Sequence, residues 1–284
     1  MKIATLLSLA APLAIQAGST RPPAPFAVQK KSTFLTPEIL HLRGGDLGPI
    51  SSDAIGKTFS ILAVGDALTS TIAPVETWKS CGVEIEPGSK GEHYLGHGLG
   101  SSAATLSATG YLAFSSKIST NEAIAYGILT RCAYMTEMLL TGKYTELDVP
   151  LTPHVVIYLV LLATAFGLLS GDSSYDALAK VVLVVLSGHG ALLFLNPRLD
   201  DDEKTKKMAK VDGGYMLISS LFAALLAFGI APSQAMGYSS IFCIPLMLSV
   251  LDLVTADEVF GLRKNTWKVI LIAFVGASAY GMLA

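Results

Sequence analysis

Two stretches of sequence decide the fold of this chain: AIGKTFSILAVGDALTSTIAP at Ala54–Pro74 and ALAKVVLVVLSGHGALLFLNP at Ala177–Pro197. The second is an apolar run of the length that crosses a bilayer as a helix. The first contains a lysine, an aspartate and several hydroxyl side chains, so its hydropathy alone is ambiguous. At an offset of 123 residues the two share an alanine, a lysine, a glycine and a proline: Ala54 and Ala177, Lys57 and Lys180, Gly65 and Gly188, Pro74 and Pro197. We therefore expect the first stretch to cross the membrane as the second does.

The same relation extends over the rest of the chain. Ile118–Tyr126 aligns with Ile230–Tyr238 at an offset of 112, and Thr164–Ser170 aligns with Ser278–Ala284 at an offset of 114. Internal similarity in a constant order is the sign of a duplicated unit. The sequence predicts two four-helix repeats, 54–171 and 177–284, which an even number of spans would place in the same orientation.

The composition is that of a membrane protein. Of 284 residues 51% are hydrophobic and 15% charged, and the mean hydropathy is +0.55; soluble domains carry about 25% charged residues. A net charge of −2 excludes the basic surface of a nucleic-acid binder. Three cysteines exclude a disulfide scaffold.

The predicted fold is an all-α integral membrane protein with eight transmembrane helices. Apolar runs of about 17–25 residues span the hydrocarbon core as helix. The predicted spans are Ala54–Pro74, Leu95–Phe114, Ala123–Leu140, Val155–Ser170, Leu178–Leu195, Gly213–Ala231, Tyr238–Leu251 and Trp267–Ala284.

The N-terminus has the features of a secretory address. Residues 1–17 combine Lys2, a short apolar run and a cleavage pattern ending at Ala17, as in a signal peptide. Residues 18–53 are rich in proline and basic side chains and are expected to be disordered. Together they resemble the bipartite plastid presequences of algae, although Gly18 stands where that pattern has phenylalanine. The resemblance implies an endomembrane or plastid-derived membrane.

The basic residues predict an orientation. With eight spans, the loops that follow odd-numbered helices carry ten lysines and arginines, and the opposite loops carry only Lys117. The positive-inside rule places the basic loops on the cytosolic or stromal face and both mature termini in the lumen or outside.

Four ionisable residues fall at bilayer depth: Asp66, Arg131, His189 and Glu137. Asp66 and its repeat equivalent His189 each follow a matched glycine. Arg131 and Glu137 lie about 240° apart around one helix, so we expect Arg131 to pair with Asp66 from another helix. Such groups need a partner or a cavity, which leaves two readings: a buried ion pair that fixes helix register, or a site for a substrate or proton.

A metal site is a weaker alternative. Glu92, His93 and His97 place two imidazoles four residues apart on one helical face, and a carboxylate such as Glu137 or Asp252 would have to complete the site. The glycines and serines that follow, Gly96 to Ser102, favour close helix contact.

Each repeat opens with a helix that has a Gly-x-small triplet and a terminal proline: Gly65-Asp66-Ala67 with Pro74, and Gly188-His189-Gly190 with Pro197. This opening resembles that of small four-helix membrane proteins of the DoxX-like type. The resemblance implies a four-span unit and does not define an activity.

The functional hypothesis is a non-enzymatic membrane protein, either a small-solute carrier with a ligand site between the repeats or a subunit of a membrane complex. The carrier hypothesis requires Asp66, Arg131 and His189 to line one cavity. The subunit hypothesis requires them to pair off without a void and implies membrane-protein partners. The alternative is a membrane-embedded enzyme with the His/carboxylate metal site. The lipid bilayer is the partner common to all three, and the sequence leaves the cofactor unknown.

Overall fold

The computed structural model describes residues 51–115, 117–147, 149–197, 202–259 and 262–283. Over these residues the chain is an all-α protein with one short β-hairpin, as the composition and apolar runs predict. The predicted signal peptide, residues 1–17, and the lead segment up to residue 50 lie outside the described residues.

The first half of the chain forms seven α-helices and one π-helical turn: α1 (Ser52–Ile72), α2 (Pro74–Ser80), α3 (Lys90–Glu92), the π-helix (His93–Gly98), α4 (Leu99–Ala113), α5 (Thr120–Leu140), α6 (Lys143–Glu146) and α7 (Leu151–Leu169). The second half forms α8 (Ser174–Leu195), α9 (Glu203–Ala227), α10 (Pro232–Ser240), α11 (Cys243–Leu253), β1 (Glu258–Val259), β2 (Leu262–Arg263) and α12 (Lys264–Leu283). The two strands are antiparallel, with Glu258 opposite Arg263.

Local capping sets where several helices begin. The Ser51 hydroxyl accepts a hydrogen bond from the Ala54 amide, so α1 begins inside the predicted lead segment. Ser119 and Glu122 form a capping box at α5, and their hydrogen bonds lower the pKa of Glu122. Asp202 accepts from the amides of Lys204 and Thr205, so α9 begins at Glu203 rather than at the predicted Gly213.

The core of the bundle is built around α4 and α9, which pack against each other. Most residues of both helices are buried, including Leu99 on α4 and Ile218 and Phe222 on α9. In the first half α1 and α5 flank α4, and α7 lies against α5. In the second half α8, α10 and α11 flank α9, and α12 lies against α10 and α11.

Glycines allow the closest helix contacts. A Cβ atom on Gly100 would lie 2.7 Å from Thr71 Oγ1 of α1. A Cβ atom on Gly190 of α8 would lie 2.5 Å from the backbone nitrogen of Leu217, and one on Gly213 of α9 would lie 2.6 Å from that of Phe194. Only glycine permits backbones to approach so closely. The contact of Gly100 agrees with the packing role predicted for the small residues.

Among the described residues, fewer than eight helices meet the length and hydropathy of a membrane span. Four do so alone, namely α7, α8, α9 and α12, and the bent pairs α1–α2 and α10–α11 raise the total to six. The pairs bend by 115° and 41°, respectively. Two predicted spans fall short, since α4 has only 15 residues and α5 carries Arg131 and Glu137. The structure is therefore compatible with a membrane protein of four to six spans by this criterion.

Several hydroxyl side chains are buried and many large apolar side chains are exposed, as α1 illustrates. On α1, Ile61, Leu68 and Ile72 are exposed, whereas Ser60 and Ser70 are buried. The Ser60 hydroxyl donates to the carbonyl of Gly56, four residues earlier. Hydroxyls satisfied within their own helix do not need water. A helix with hydroxyls inside and aliphatic side chains outside suits an apolar solvent.

Candidate functional site

The site lies where α5 crosses the central helices, and Arg131 is its cation. Arg131 stands midway along α5 and is partly buried. Its Nη2 donates to Ser102 Oγ on α4 at 3.4 Å, a long hydrogen bond. Among the described carboxylates, none comes within 4.0 Å of the guanidinium, and Asp212 on α9 faces it from a greater distance. A guanidinium has five N–H donors, so most of its donors make no hydrogen bond within the described part of the chain.

Asp212 supplies the opposite charge. It is 8% exposed and lies almost three turns into α9. A Cβ atom on Gly98 would lie 2.5 Å from Asp212 Oδ2, so the absence of a side chain at Gly98 makes room for the carboxylate. Gly98 ends the π-helix, a wider turn that often marks functional positions. A partly buried cation and a buried carboxylate thus lie in the same region of the bundle without an ion pair between them.

A small cavity of about 10 Å³ lies beside Arg131, near the centre of the bundle. Such a volume holds about one water molecule. Its polar wall consists of Thr105 and Thr109 of α4 and Ser219 and Ser220 of α9. Isoleucine and leucine side chains from α5, α7 and α8 close the other walls. We call this space the central cavity.

Thr109 differs from the other hydroxyls of the central cavity. Thr105 donates to Ser101 O, and Ser219 and Ser220 both donate to Met216 O. The Thr109 hydroxyl is buried and has no hydrogen-bond partner among the described residues. A Cβ atom on Gly127 would lie 1.8 Å from Thr109 Oγ1, so only a glycine there accommodates the hydroxyl. A buried, unpaired hydroxyl is costly and calls for a ligand or water.

A second cavity of about 30 Å³ lies near the end of α5, and we call it the histidine cavity. Glu92, His93, His97, Lys143 and Glu146 line it together with Gly88, Ser89 and Leu147. Burial, with the positive charges of His97, His154 and Lys143, lowers the pKa of His93 to about 4. His93 is therefore a neutral imidazole at physiological pH.

The histidine cavity lacks the arrangement of a metal centre. His97 Nδ1 lies 3.2 Å from Glu137 Oε2, in ion-pair range but without hydrogen-bond geometry. Glu92 Oε2 accepts a hydrogen bond from the Gly88 amide at 2.6 Å and is engaged there. Within the described ranges, no group of three or more metal-binding side chains comes together. The predicted trio of Glu92, His93 and His97 thus lines a cavity without forming a ligand set.

The predicted pair of Arg131 and Asp66 does not form. Asp66 Oδ2 accepts a hydrogen bond of 2.5 Å from the hydroxyl of Tyr215 on α9. Thr71, one and a half turns further along α1, is the residue that contacts α5, through the Tyr134 hydroxyl at 2.7 Å. Asp66 and Thr71 are five positions apart, which places their side chains about 140° apart around the axis of α1. Because Thr71 faces α5, Asp66 faces away from it.

The four ionisable candidates do not converge on one cavity. Arg131 lines the central cavity, whereas Asp66, His189 and Glu137 are absent from its walls. His189 and Glu137 are exposed, as is Asp252 near the end of α11. Sequence reasoning missed Asp212 because the predicted span began one residue later. The signal that would have found it is Asp202-Glu203, an N-cap and first turn that start α9 early enough to include Asp212.

Comparison with known proteins finds no matching protein family, no similar curated protein and no similar solved structure.

Proposed function

We propose that the chain is an integral membrane protein of two parallel four-helix repeats, and that it is a carrier for a small solute. The eight helical regions would then all cross the bilayer. The solute would pass along the seam between α4, α5 and α9. One observation carries the proposal: Arg131 lies inside this seam without an ion pair to Asp212 or to another described carboxylate, beside a cavity lined with hydroxyl groups.

Burial supports the membrane part of this proposal. Large apolar side chains such as Leu68, Val185 and Phe274 lie on the outside, and several serines and threonines are buried in the interior among apolar side chains. The two helices that fall short of the hydropathy of a span, α4 and α5, are packed by other helices. A helix that contacts protein rather than lipid does not need an apolar surface on every side.

Helix adjacency supports the repeat. The contact of α1 with α4 in the first half corresponds to the contact of α8 with α9 in the second half. The contact of α7 with α8 likewise corresponds to the contact of α12 with α1. The central contact of α4 with α9 joins the equivalent helices of the two halves. This pattern is what a two-fold axis along the membrane normal would produce. The four-helix unit of the DoxX-like proteins, which each half resembles, belongs to the same proposal.

Two contacts between helix ends and loops support the predicted division of the connections between two faces. The Thr255 amide and hydroxyl both donate to Gly82 O, which joins two of the loops predicted to be cytosolic or stromal. Asn121 Nδ2 donates to Asp176 Oδ1 at 3.0 Å, which joins the ends of two helices predicted to lie at the lumenal face. The histidine cavity would then open toward the cytosolic or stromal face, because Gly88 and Lys143 belong to loops of that face.

The membrane-complex subunit is the second candidate. The tight interior favours it, because a central cavity of about 10 Å³ leaves no large void between the halves. A carrier closed around its site has the same appearance. The two candidates differ in whether the central cavity ever becomes accessible to water.

Thiol accessibility tests the carrier directly. We would replace the three native cysteines (Cys81→Ser, Cys132→Ala, Cys243→Ala), introduce Ser220→Cys in the central cavity, and reconstitute the full chain in liposomes. A membrane-impermeant, charged methanethiosulfonate reagent should label this thiol when added outside. The control is Ala235→Cys on α10, which is buried and away from the cavity.

Labelling of Ser220→Cys without labelling of Ala235→Cys supports the carrier. Failure of both to react, with the folded state verified by size-exclusion chromatography, contradicts it and favours the subunit. Equal labelling of both also contradicts it, because the whole bundle would then be open rather than one path.

A further inference from the structure

We propose that Arg131 and Thr109 bind a small monovalent anion of about the size of chloride in the central cavity, and that Asp212 competes with this anion for Arg131. Protonation of Asp212 would therefore couple anion binding to proton binding. This inference names the substrate class of the carrier proposed above and rests on that proposal.

The charge and donors of Arg131 point to an anion. Its guanidinium makes one long hydrogen bond, to Ser102, and its remaining donors have no acceptor among the described residues. A positive charge in a low-dielectric interior attracts an anion and repels cations. The solute that fits this wall of the cavity is therefore negatively charged.

Hydroxyl groups complete the site. The Thr109 hydroxyl has no hydrogen-bond partner among the described residues, and it lies against Gly127 in a wall of the central cavity. Ser220 donates to Met216 O and can exchange this bond for one to an anion by rotating about its side-chain bond. The described cavity wall contains a guanidinium and hydroxyl groups but no carboxylate, and a guanidinium together with hydroxyls that can donate favours an anion.

The volume sets the size of the anion. The central cavity holds about one water molecule, so only a small monatomic anion is compatible with it, and chloride, which is larger than water, requires the walls to move slightly apart. Isoleucine and leucine side chains form the remaining walls, and no polar group there would solvate a larger oxyanion. A divalent oxyanion such as sulfate is excluded by size and by its second charge.

Asp212 makes binding depend on pH. Arg131 and Asp212 together are neutral, so an anion added beside them would leave one uncompensated buried charge. A proton on Asp212 restores neutrality, so anion affinity should rise as the pH falls. Besides Asp212, the titratable groups that act on Arg131 are Cys132 and Tyr144, which are uncharged at neutral pH. His97, which adjoins Gly98, has Glu137 as its ionic partner.

Chloride binding to the purified full chain in lipid nanodiscs tests this inference. Calorimetric titration with sodium chloride in gluconate buffer should give saturable binding that is tighter at pH 5.5 than at pH 7.5. Sodium sulfate should give none. Arg131→Gln should abolish binding, and Thr109→Val, which keeps the shape of the side chain, should weaken it about tenfold.

Asp212→Asn is the decisive variant. It removes the competing negative charge, so it should bind chloride more tightly than the native chain at pH 7.5 and lose the pH dependence. Lys117→Gln, which removes a positive charge from an exposed loop, is the matched control and should bind normally. Native affinity in Arg131→Gln would overturn the site, and a retained pH dependence in Asp212→Asn would overturn the coupling. If Arg131→Gln does not fold, the chloride affinities of Thr109→Val and Asp212→Asn still test the anion site and its coupling to protons.

Chloride flux into liposomes separates this inference from the proposed function. If the chain binds chloride but shows no chloride flux and Ser220→Cys is not labelled, the anion site is supported and the carrier function is contradicted. If Ser220→Cys is labelled but the chain binds no chloride, the carrier function is supported and the anion site is contradicted.

Discussion

At the scale of single residues, the charged groups within the helices differ in burial and in how their partners are supplied: Asp66 is exposed, Arg131 partly buried and Asp212 buried. Asp66 accepts a short hydrogen bond from Tyr215, whereas Arg131 and Asp212 remain apart. The sequence identifies Asp66 and Arg131 as exceptional because charged groups are rare inside apolar runs. It does not identify Tyr215 as a partner, because a tyrosine on an apolar helix face is ordinary.

Tyr215→Phe tests the contribution of the hydrogen bond to Asp66. We expect a loss of about 1–2 kcal/mol in the free energy of unfolding, since a bond to a carboxylate is stronger than one between neutral groups. Thermal or denaturant unfolding in detergent micelles measures this loss. Tyr111→Phe, at an exposed tyrosine on α4, is the control and should change stability by less than about 0.5 kcal/mol. Equal effects of the two substitutions would show that the bond contributes nothing specific.

At the scale of helices, glycine determines which faces meet. Gly190 of α8 and Gly213 of α9 bring two backbones together, and Gly100 does the same between α4 and α1. In a bilayer such contacts replace the hydrophobic effect as the source of helix association, because lipid is as apolar as leucine. The central position of α9 follows from these close contacts.

Gly190→Ala and Gly188→Ala form a matched pair on α8. A Cβ atom at Gly190 would meet the backbone of Leu217 at 2.5 Å, whereas one at Gly188 has no neighbour within 4 Å. We expect Gly190→Ala to cost about 1–3 kcal/mol by forcing the helices apart. Gly188→Ala should be neutral or slightly stabilising, because alanine is the better helix former. Unfolding of both variants under the same conditions gives the comparison, and similar losses would contradict the close α8–α9 contact.

At the scale of the whole molecule, the described helices form a bundle with two central helices and with large apolar side chains on its outside. The central helices contribute the hydroxyls, Asp212 and the central cavity, and the peripheral helices contribute the aliphatic surface. Large apolar side chains exposed on the outside of the bundle are compatible with contact with a lipid bilayer.

The proposed topology predicts which segments a protease can reach. An epitope inserted after Gly142, in the turn between α5 and α6, should be digested in sealed microsomes whose cytosolic face is outward. Epitopes inserted at Lys117 or added at the C-terminus should be protected until detergent is added. The measurement is immunoblotting of each epitope with and without detergent. Digestion of the C-terminal epitope in sealed vesicles would contradict the eight-span orientation.

The sequence by itself determined the all-α class and the approximate positions of the helices. Hydrophobic runs, caps and helix-breaking residues act over a few positions, so they can be recognised without knowledge of the fold. The bounds agree closely for α1 and α8. The predicted start differs from the observed one at α9, because the Asp202 cap begins the helix before the apolar run begins.

Only the tertiary structure decided which polar groups meet. The rotation of each helix about its axis depends on packing between residues distant in the chain, such as Gly98 against Asp212. That rotation turned Asp66 toward Tyr215 rather than Arg131, left His189 on the outside, and placed Arg131 beside Thr109 and Ser220. A site formed by side chains from several helices is therefore a property of their packing, which no local pattern encodes.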